Sequence, residues 1–184
     1  MVKYDTLYPM RNKDYTDGLL DLIKHINTFS DTKNMRMIEI GSYAGESTQI
    51  FATHFKEVIA IDPYLNDYDV NDITCQHMDL NKVYDVFLNN TKSYENIRLI
   101  RKTSDDCVDE LLNEKFDFIY IDGIHTYEQV IKDIINYKPL VSVDGFIGGH
   151  DYHPVWSGVI KAINEQLGQP DYTFKDTSWI FKIK

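Results

Sequence analysis

At the ends of its apolar runs the sequence places Glu39, Asp62, Ser104-Asp105, Asp122 with His125, and His150-Asp151. Carboxylates at such positions bind hydroxyls, ammonium groups or hard cations, and imidazoles take up or release a proton near neutral pH. Asp122, His125, His150, Asp151 and His153 also supply enough donors for a two-histidine, one-carboxylate centre holding iron or zinc, which would survive purification. A calcium loop is excluded. Asp67, Asp69 and Asn71 have its opening spacing, but Asp72 stands where glycine is required and Met78 where the bidentate glutamate is required.

The stretch from Glu39 to Thr48, Glu-Ile-Gly-Ser-Tyr-Ala-Gly-Glu-Ser-Thr, indicates how a ligand would be held. An apolar β-type run breaks at Gly41 and a helical pattern begins after Gly45. Lacking Cβ, both glycines allow unusual dihedrals and close approach of a ligand to the backbone. The helix N-terminus favours an anionic group and Glu39 a cationic one. A ligand carrying both satisfies the pair, and S-adenosylmethionine is such a ligand. A nicotinamide or flavin fingerprint needs G-x-G-x-x-G, and the middle glycine that meets the pyrophosphate is missing. Asp62, 23 residues after Glu39, lies near the spacing at which a carboxylate meets a ribose diol.

The positioning elements follow from periodicity. A helix from about Thr16 carries Leu19, Leu20, Ile23, Ile26 and Phe29 on one face. Strands are expected at 35–40, 57–61, 97–101, 116–121 and around 145–147, separated by helices at 46–55, from Leu80 to Asn89-Asn90, just after Thr103, and after Thr126, whose spacing to Gln129 is that of a capping box. That last helix should bury Tyr127, Val130, Ile131, Ile134 and Ile135. The short helix before it should bury Val108, Leu111 and Leu112. Pro154 should open a helix with Val155, Val159, Ile160, Ile163 and Leu167 inside. Tyr172–Phe174 and Trp179–Ile183 read as an antiparallel hairpin. Residues 64–78 are too long for a simple connection and are expected to cover the site.

The alternation specifies an α/β fold: a Rossmann-like doubly wound seven-stranded sheet, parallel except for a C-terminal antiparallel strand. All 184 residues are read as one domain, with an N-terminal arm and helix at 1–30, a cofactor-binding core at 35–167 and a C-terminal hairpin at 171–183. The net charge of -10 opposes binding to nucleic acid or anionic membranes, so the expected partner is a small molecule. Homo-oligomerisation is left open. Cys75 and Cys107 match no paired metal spacing and are expected as free thiols in a reducing compartment. No leader-like N-terminus and no membrane-length apolar run appears, so a cytoplasmic protein is expected.

Four motifs in order, E-I-G-x-x-x-G-x-S-T from Glu39, I-D-P at 61–63, Y-I-D-G-x-H-x-Y at 120–127 and G-G-H-D-Y at 148–152, resemble the class I S-adenosylmethionine-dependent methyltransferases. The similarity spans residues 35–167 and runs more remotely to macrocin-type and catechol-type O-methyltransferases. It implies that Glu39, Gly41, Ser42, Gly45 and Ser47 hold the methionine end of the cofactor. It further implies that Asp62 binds the ribose, that Thr103, Ser104 and Asp105 lie near the adenine, and that Asp122 and His125 close the site over the sulfonium. In metal-assisted relatives the positions matching Asp122 and Asp151 bind magnesium, so Mg2+ or another divalent metal is a second expected cofactor. His150 stands where the sugar-modifying pattern has aspartate, which weakens a hard-cation site.

Methyl transfer needs in-line alignment and removal of the acceptor proton. His150 is the first candidate base and His125 the second, with Asp122 as the catalytic carboxylate. Tyr120, Tyr152 and Trp156 are candidate acceptor-flanking aromatics, although aromatics at strand ends more often belong to the core. His153 reads as a helix cap, and His25, His54 and His77 have no companions. The expected activity is O-methylation of a small molecule. The alternatives are a non-catalytic domain of this fold binding cofactor or partner, the His/Asp metal protein, and a nucleic-acid methyltransferase, which the charge disfavours.

Overall fold

The computed structural model describes residues 11–66, 68 and 78–184. Most of the expected covering segment at 64–78, with His77 and Cys75, and most of the N-terminal arm lie outside the described residues. The first helix, α1 (Lys13–Asn27), starts earlier than its apolar face suggests because the Asn12 side chain caps it, accepting from the Tyr15 N–H at 3.0 Å. There follow β1 (Arg36–Ile40), α2 (Glu46–His54), β2 (Glu57–Ile61), α3 (Leu80–Thr91), β3 (Ile97–Ile100), α4 (Ser104–Leu111), β4 (Phe116–Ile121), α5 (Tyr127–Tyr137), β5 (Val141–Gly149), α6 (Ser157–Gln166), β6 (Tyr172–Thr173) and β7 (Trp179–Lys182).

The strands form one seven-stranded sheet in the order β3-β2-β1-β4-β5-β7-β6. The first five are parallel, and β7 runs antiparallel to both β5 and β6. The expected architecture is therefore present. Central strands are buried on both faces, as a doubly wound sheet demands. One core layer packs α4, α5 and α6 on the sheet, and the other packs α1 and α2, centred on Phe51, Phe55 and Phe118.

Four expected inward residues face out. Phe29, Leu112, Ile135 and Val155 are all exposed: Phe29 and Leu112 lie past the ends of α1 and α4, and Val155 sits in a short 3-10 turn, Pro154–Trp156, before α6 starts. Strand β5 begins four residues before Gly145, carrying a bulge opposite Phe116–Phe118.

Helix α1 meets the C-terminal hairpin at Gly18. A Cβ added there would lie 2.4 Å from Cγ of the buried Asp176, whose carboxylate accepts from Ser178 N and Oγ. Gly18→Ala should therefore act as overpacking, costing about 1–3 kcal/mol. Thermal unfolding should show a midpoint lower by roughly 2–4 °C per kcal/mol for a chain of this size, and an unchanged midpoint would refute the clash.

Candidate active site

Four residues that follow parallel strands are fixed by continuing the ladder one residue beyond each strand. Asp62 N–H donates to Ile100 O (3.3 Å), Gly41 N–H to Ile61 O (2.8 Å), Asp122 N–H to Ile40 O (2.8 Å) and His150 N–H to Ile121 O (3.0 Å). The carbonyl of His150 also accepts from the Trp179 indole at 3.0 Å. These residues thus lie in a row at the carboxyl ends of the strands, where open α/β sheets bind ligands. A cavity of about 570 Å³ opens there, lined by Gly41, Ser42, Ser47, Asp62, Ser104, Asp122, His125, His150 and Asp151. Its volume is that of a small-molecule site.

The glycine turn departs from expectation in one respect. Gly41 and Gly45 both take positive φ, +85° and +80°, but the missing Cβ atoms make room for the protein itself. A Cβ on Gly41 would lie 2.0 Å from the Asp122 carbonyl oxygen, and one on Gly45 would meet Phe87 and Thr91 of α3. Gly45 is accordingly absent from the cavity wall. Glu39 is also behind the wall: it is fully buried and accepts from Thr48 Oγ1 at 2.5 Å, and burial pushes its carboxyl up to about 7 against the hydroxyls of Ser47 and Thr48. The first turn of α2 already carries Glu46, whose Oε2 accepts from Arg11 N–H at 3.0 Å.

Asp62 accepts from the N–H groups of Tyr43 (2.9 Å) and Tyr64 (3.0 Å), which holds its carboxylate in place at the cavity and resists the upward push of burial on its pKa. Of the three residues expected near the adenine, Ser104 alone lines the cavity. Thr103 caps α4 by accepting from Asp106 N–H, and Asp105 faces out to Gln129 and Lys132. A buried carboxylate outside the motifs takes part instead. Asp133 on α5 lines the cavity with Gln129, and burial pushes it up to about 6 against hydrogen bonds from Ser104 and Gln129.

At the other end, Asp151 links two imidazoles. Its Oδ2 lies 2.7 Å from His125 Nε2 and its Oδ1 3.1 Å from His150 Nδ1. Its φ of +63°, a region aspartate tolerates better than most residues, turns the carboxylate back between them. Despite burial, those two partners hold Asp151 well below the usual carboxylate range. His150 shows the reciprocal effect: burial opposes its charge, but Asp122 and Asp151 outweigh burial and raise it to about 8. Its Nε2 is buried without a hydrogen-bond partner among the described residues. His125 stacks on Trp156 at 4.5 Å, which fixes its ring plane. Tyr120 and Tyr152 stand outside the cavity wall, Tyr120 buried against Ser178 and Tyr152 bonded to Asn164.

Arg11 was invisible to motif reading. Its guanidinium, almost fully buried, lies 3.3 Å from Asp122 Oδ2 and 3.9 Å from Asp176 Oδ2. Asp122 thereby sits between a fixed cation and His150, 3.7 Å away, while burial pulls its pKa upward. The donors able to converge on one ion among the described residues are Asp122, His125 and Asp151, within 4.8 Å of one another. That set has one histidine, not the two expected of an iron or zinc centre. His153 caps the turn at Pro154–Trp156 by accepting from Val155 N–H.

The model of a methyltransferase domain family matches residues 38–152, over half of the sequence, from within β1 through the cluster at His150. The chain belongs to this family. It is a class I S-adenosylmethionine-dependent methyltransferase. No curated protein matches the sequence. Among solved structures, the calicheamicin methyltransferase CalS11 has a TM-score of 0.64 at 15% identity, covering 97% of this methyltransferase and 87% of that chain. Cofactor-bound Rv0187 from MTB has a TM-score of 0.63 at 14% identity, covering 97% and 83%. The phosphoethanolamine N-methyltransferase 1 of Haemonchus contortus, solved with phosphoethanolamine and S-adenosylhomocysteine, has a TM-score of 0.53 at 14% identity. There 77% of this methyltransferase aligns, but it spans only 26% of the Haemonchus chain. At these identities the likeness concerns the fold. No helix among the described residues is long and apolar enough to cross a membrane.

Proposed function

We propose that this methyltransferase acts on a hydroxyl of a small molecule, with His150 as the base that takes the acceptor proton. One observation carries the reading: His150 lines the cavity, its Nδ1 is held by Asp151 at 3.1 Å, and its buried Nε2 has no hydrogen-bond partner among the described residues. The Asp151 contact favours the proton on Nδ1 in the neutral ring, leaving the Nε2 lone pair as acceptor. The bound cofactor supplies an activated methyl group that passes from sulfur to the acceptor oxygen. Gly41, Ser42 and Ser47 would border its methionine end, Asp62 its ribose and Ser104 its purine. His125, gripped by Trp156 and Asp151, acts as a positioning residue for Asp151. Support for a hydroxyl acceptor comes also from CalS11, described as a TDP-rhamnose 3'-O-methyltransferase.

A divalent ion is the second reading, favoured by the convergence of Asp122, His125 and Asp151. An ion held by these donors would acidify the acceptor hydroxyl. Arg11 and His150 already compensate the same carboxylates, and we therefore expect turnover without added metal. The test is calorimetric titration with S-adenosylhomocysteine, paired with assays on hydroxyl and amine acceptors, each run in EDTA and in Mg2+. Saturable cofactor binding and hydroxyl methylation that persist in EDTA support the reading. Activity lost in EDTA and restored by Mg2+ would replace it with the metal-assisted one. Methylation of amines alone would remove the oxygen assignment.

A further inference from the structure

Aromatic side chains flank both imidazoles of the cavity. Tyr15, 39% exposed, stands edge-on to His150 with ring centroids 5.7 Å apart at 86°, and Trp156 stacks on His125. Both aromatics line the cavity, as does Ile124 next to His125. A substrate oxygen that reaches His150 therefore arrives against apolar surface.

The charges on the same wall are lopsided. Glu46, Asp62, Asp122, Asp133 and Asp151 line it, whereas Arg11 is its one Lys or Arg side chain among the described residues. That guanidinium is already committed, 3.3 Å from Asp122 Oδ2 and 3.9 Å from Asp176 Oδ2, and the main-chain N–H of Arg11 donates to Glu46 Oε2 at 3.0 Å. Glu46 also sits in the first turn of α2, so the helix end that would favour a bound anion already carries one. His150 must be neutral to act as the base and then adds no cation. The cofactor brings one net positive charge, its sulfonium, since its ammonium and carboxylate cancel, and the carboxylates of the wall still outnumber the cations. A phosphate or carboxylate near the acceptor hydroxyl would lose water against Tyr15 and Trp156 and would face like charge, which is strongly disfavoured.

We infer that the acceptor is an uncharged or cationic hydroxyl compound with an apolar face beside the reacting oxygen, and that acceptors bearing phosphate or carboxylate are excluded. The inference rests on the proposed transfer to a hydroxyl at His150 and narrows it. The TDP-rhamnose named for CalS11 carries a diphosphate, for which this wall offers no uncommitted cation among the described residues.

Three phenols that differ chiefly in the charge of one end group test this: tyramine (cationic), 4-hydroxyphenylethanol (neutral) and 4-hydroxyphenylacetate (anionic). Each is titrated by calorimetry into the wild-type complex with S-adenosylhomocysteine, and the position of methyl transfer from S-adenosylmethionine is read by mass spectrometry. The anion should bind at least about tenfold more weakly than the neutral compound, and the gap should narrow as salt is raised, because screening weakens repulsion and leaves a steric cause untouched. Glu46→Gln keeps an oxygen for the Arg11 N–H and removes one charge, so it should shrink the gap by about two- to fivefold. Thermal unfolding checks that this variant is folded, and if it is not, the wild-type ratio and its salt dependence decide. An anion bound as tightly as the neutral compound, a gap insensitive to salt, or an unchanged gap in the folded variant would overturn the inference. Binding of none of the three would overturn it as well, by removing the apolar acceptor wall. Methylation of tyramine at nitrogen with the charge ranking intact would unseat the hydroxyl reading alone.

Discussion

Replacing His150 by alanine is expected to lower kcat by about 10²–10⁴-fold, the usual contribution of a positioned general base, while cofactor affinity changes little. The wild-type kcat/KM should rise about tenfold per pH unit up to about 8 and then level, because the base must be neutral and the pair of carboxylates beside it holds the imidazole protonated below that value. In the cofactor complex a sulfonium close by adds positive charge, which favours the neutral ring. The inflection in kcat should therefore lie below the inflection in kcat/KM. His150→Ala should lose both inflections. His125→Ala should lower the rate less and leave an inflection displaced downward, since Asp151 would then hold His150 less firmly. A folded His150→Ala enzyme with unchanged kcat and an unchanged pH profile would eliminate His150 as the base.

The motifs made the strand-end residues legible because a β-type run broken by glycine or aspartate is a local signal. The ladder that continues through Gly41, Asp62, Asp122 and His150 then follows from parallel pairing alone. Arg11 gave no such signal, since its partner Asp122 is 111 residues distant in sequence and contact between them depends on how α1 docks. Asp133 was legible in retrospect. The buried positions of α5 are Val130, Asp133, Ile134 and Tyr137, a stripe at i, i+3, i+4 and i+7. Reading Ile135 inward because it is apolar hid the carboxylate that occupies the stripe. A charged residue at an inner helical position must find partners, and here they are Ser104, Gln129 and the cavity. The glycines teach a related lesson. By its type Gly45 reads as a ligand contact, but its open side faces α3, a contact that only the tertiary structure creates.

Gly41→Ala should be the most damaging single methyl in the chain. Its Cβ would lie 2.0 Å from the Asp122 carbonyl oxygen and 2.9 Å from Gly123 Cα, and both strands are pinned where they would need to move, by Gly41 N–H to Ile61 O and Asp122 N–H to Ile40 O. Side chains can rotate away from an added atom, but paired backbone cannot. The left-handed φ of +85° adds a strain of about 1 kcal/mol for an L residue. Together these should destabilise the fold by about 3–5 kcal/mol, a fall in the unfolding midpoint on the order of 10 °C. Because the clash falls on Asp122, turnover should decline further than the unfolded fraction explains. Gly123→Ala is the contrasting case. Its Cβ would meet only Ile40 Cγ2 at an ordinary 3.4 Å, yet Gly123 lines the cavity. That variant should keep its midpoint within about 1 kcal/mol of wild type and show its effect in ligand affinity alone. A midpoint for Gly41→Ala within a few degrees of the wild type, measured by calorimetry, would mean that the β1 and β4 ends can separate, and the tight coupling between the glycine turn and Asp122 would have to be abandoned.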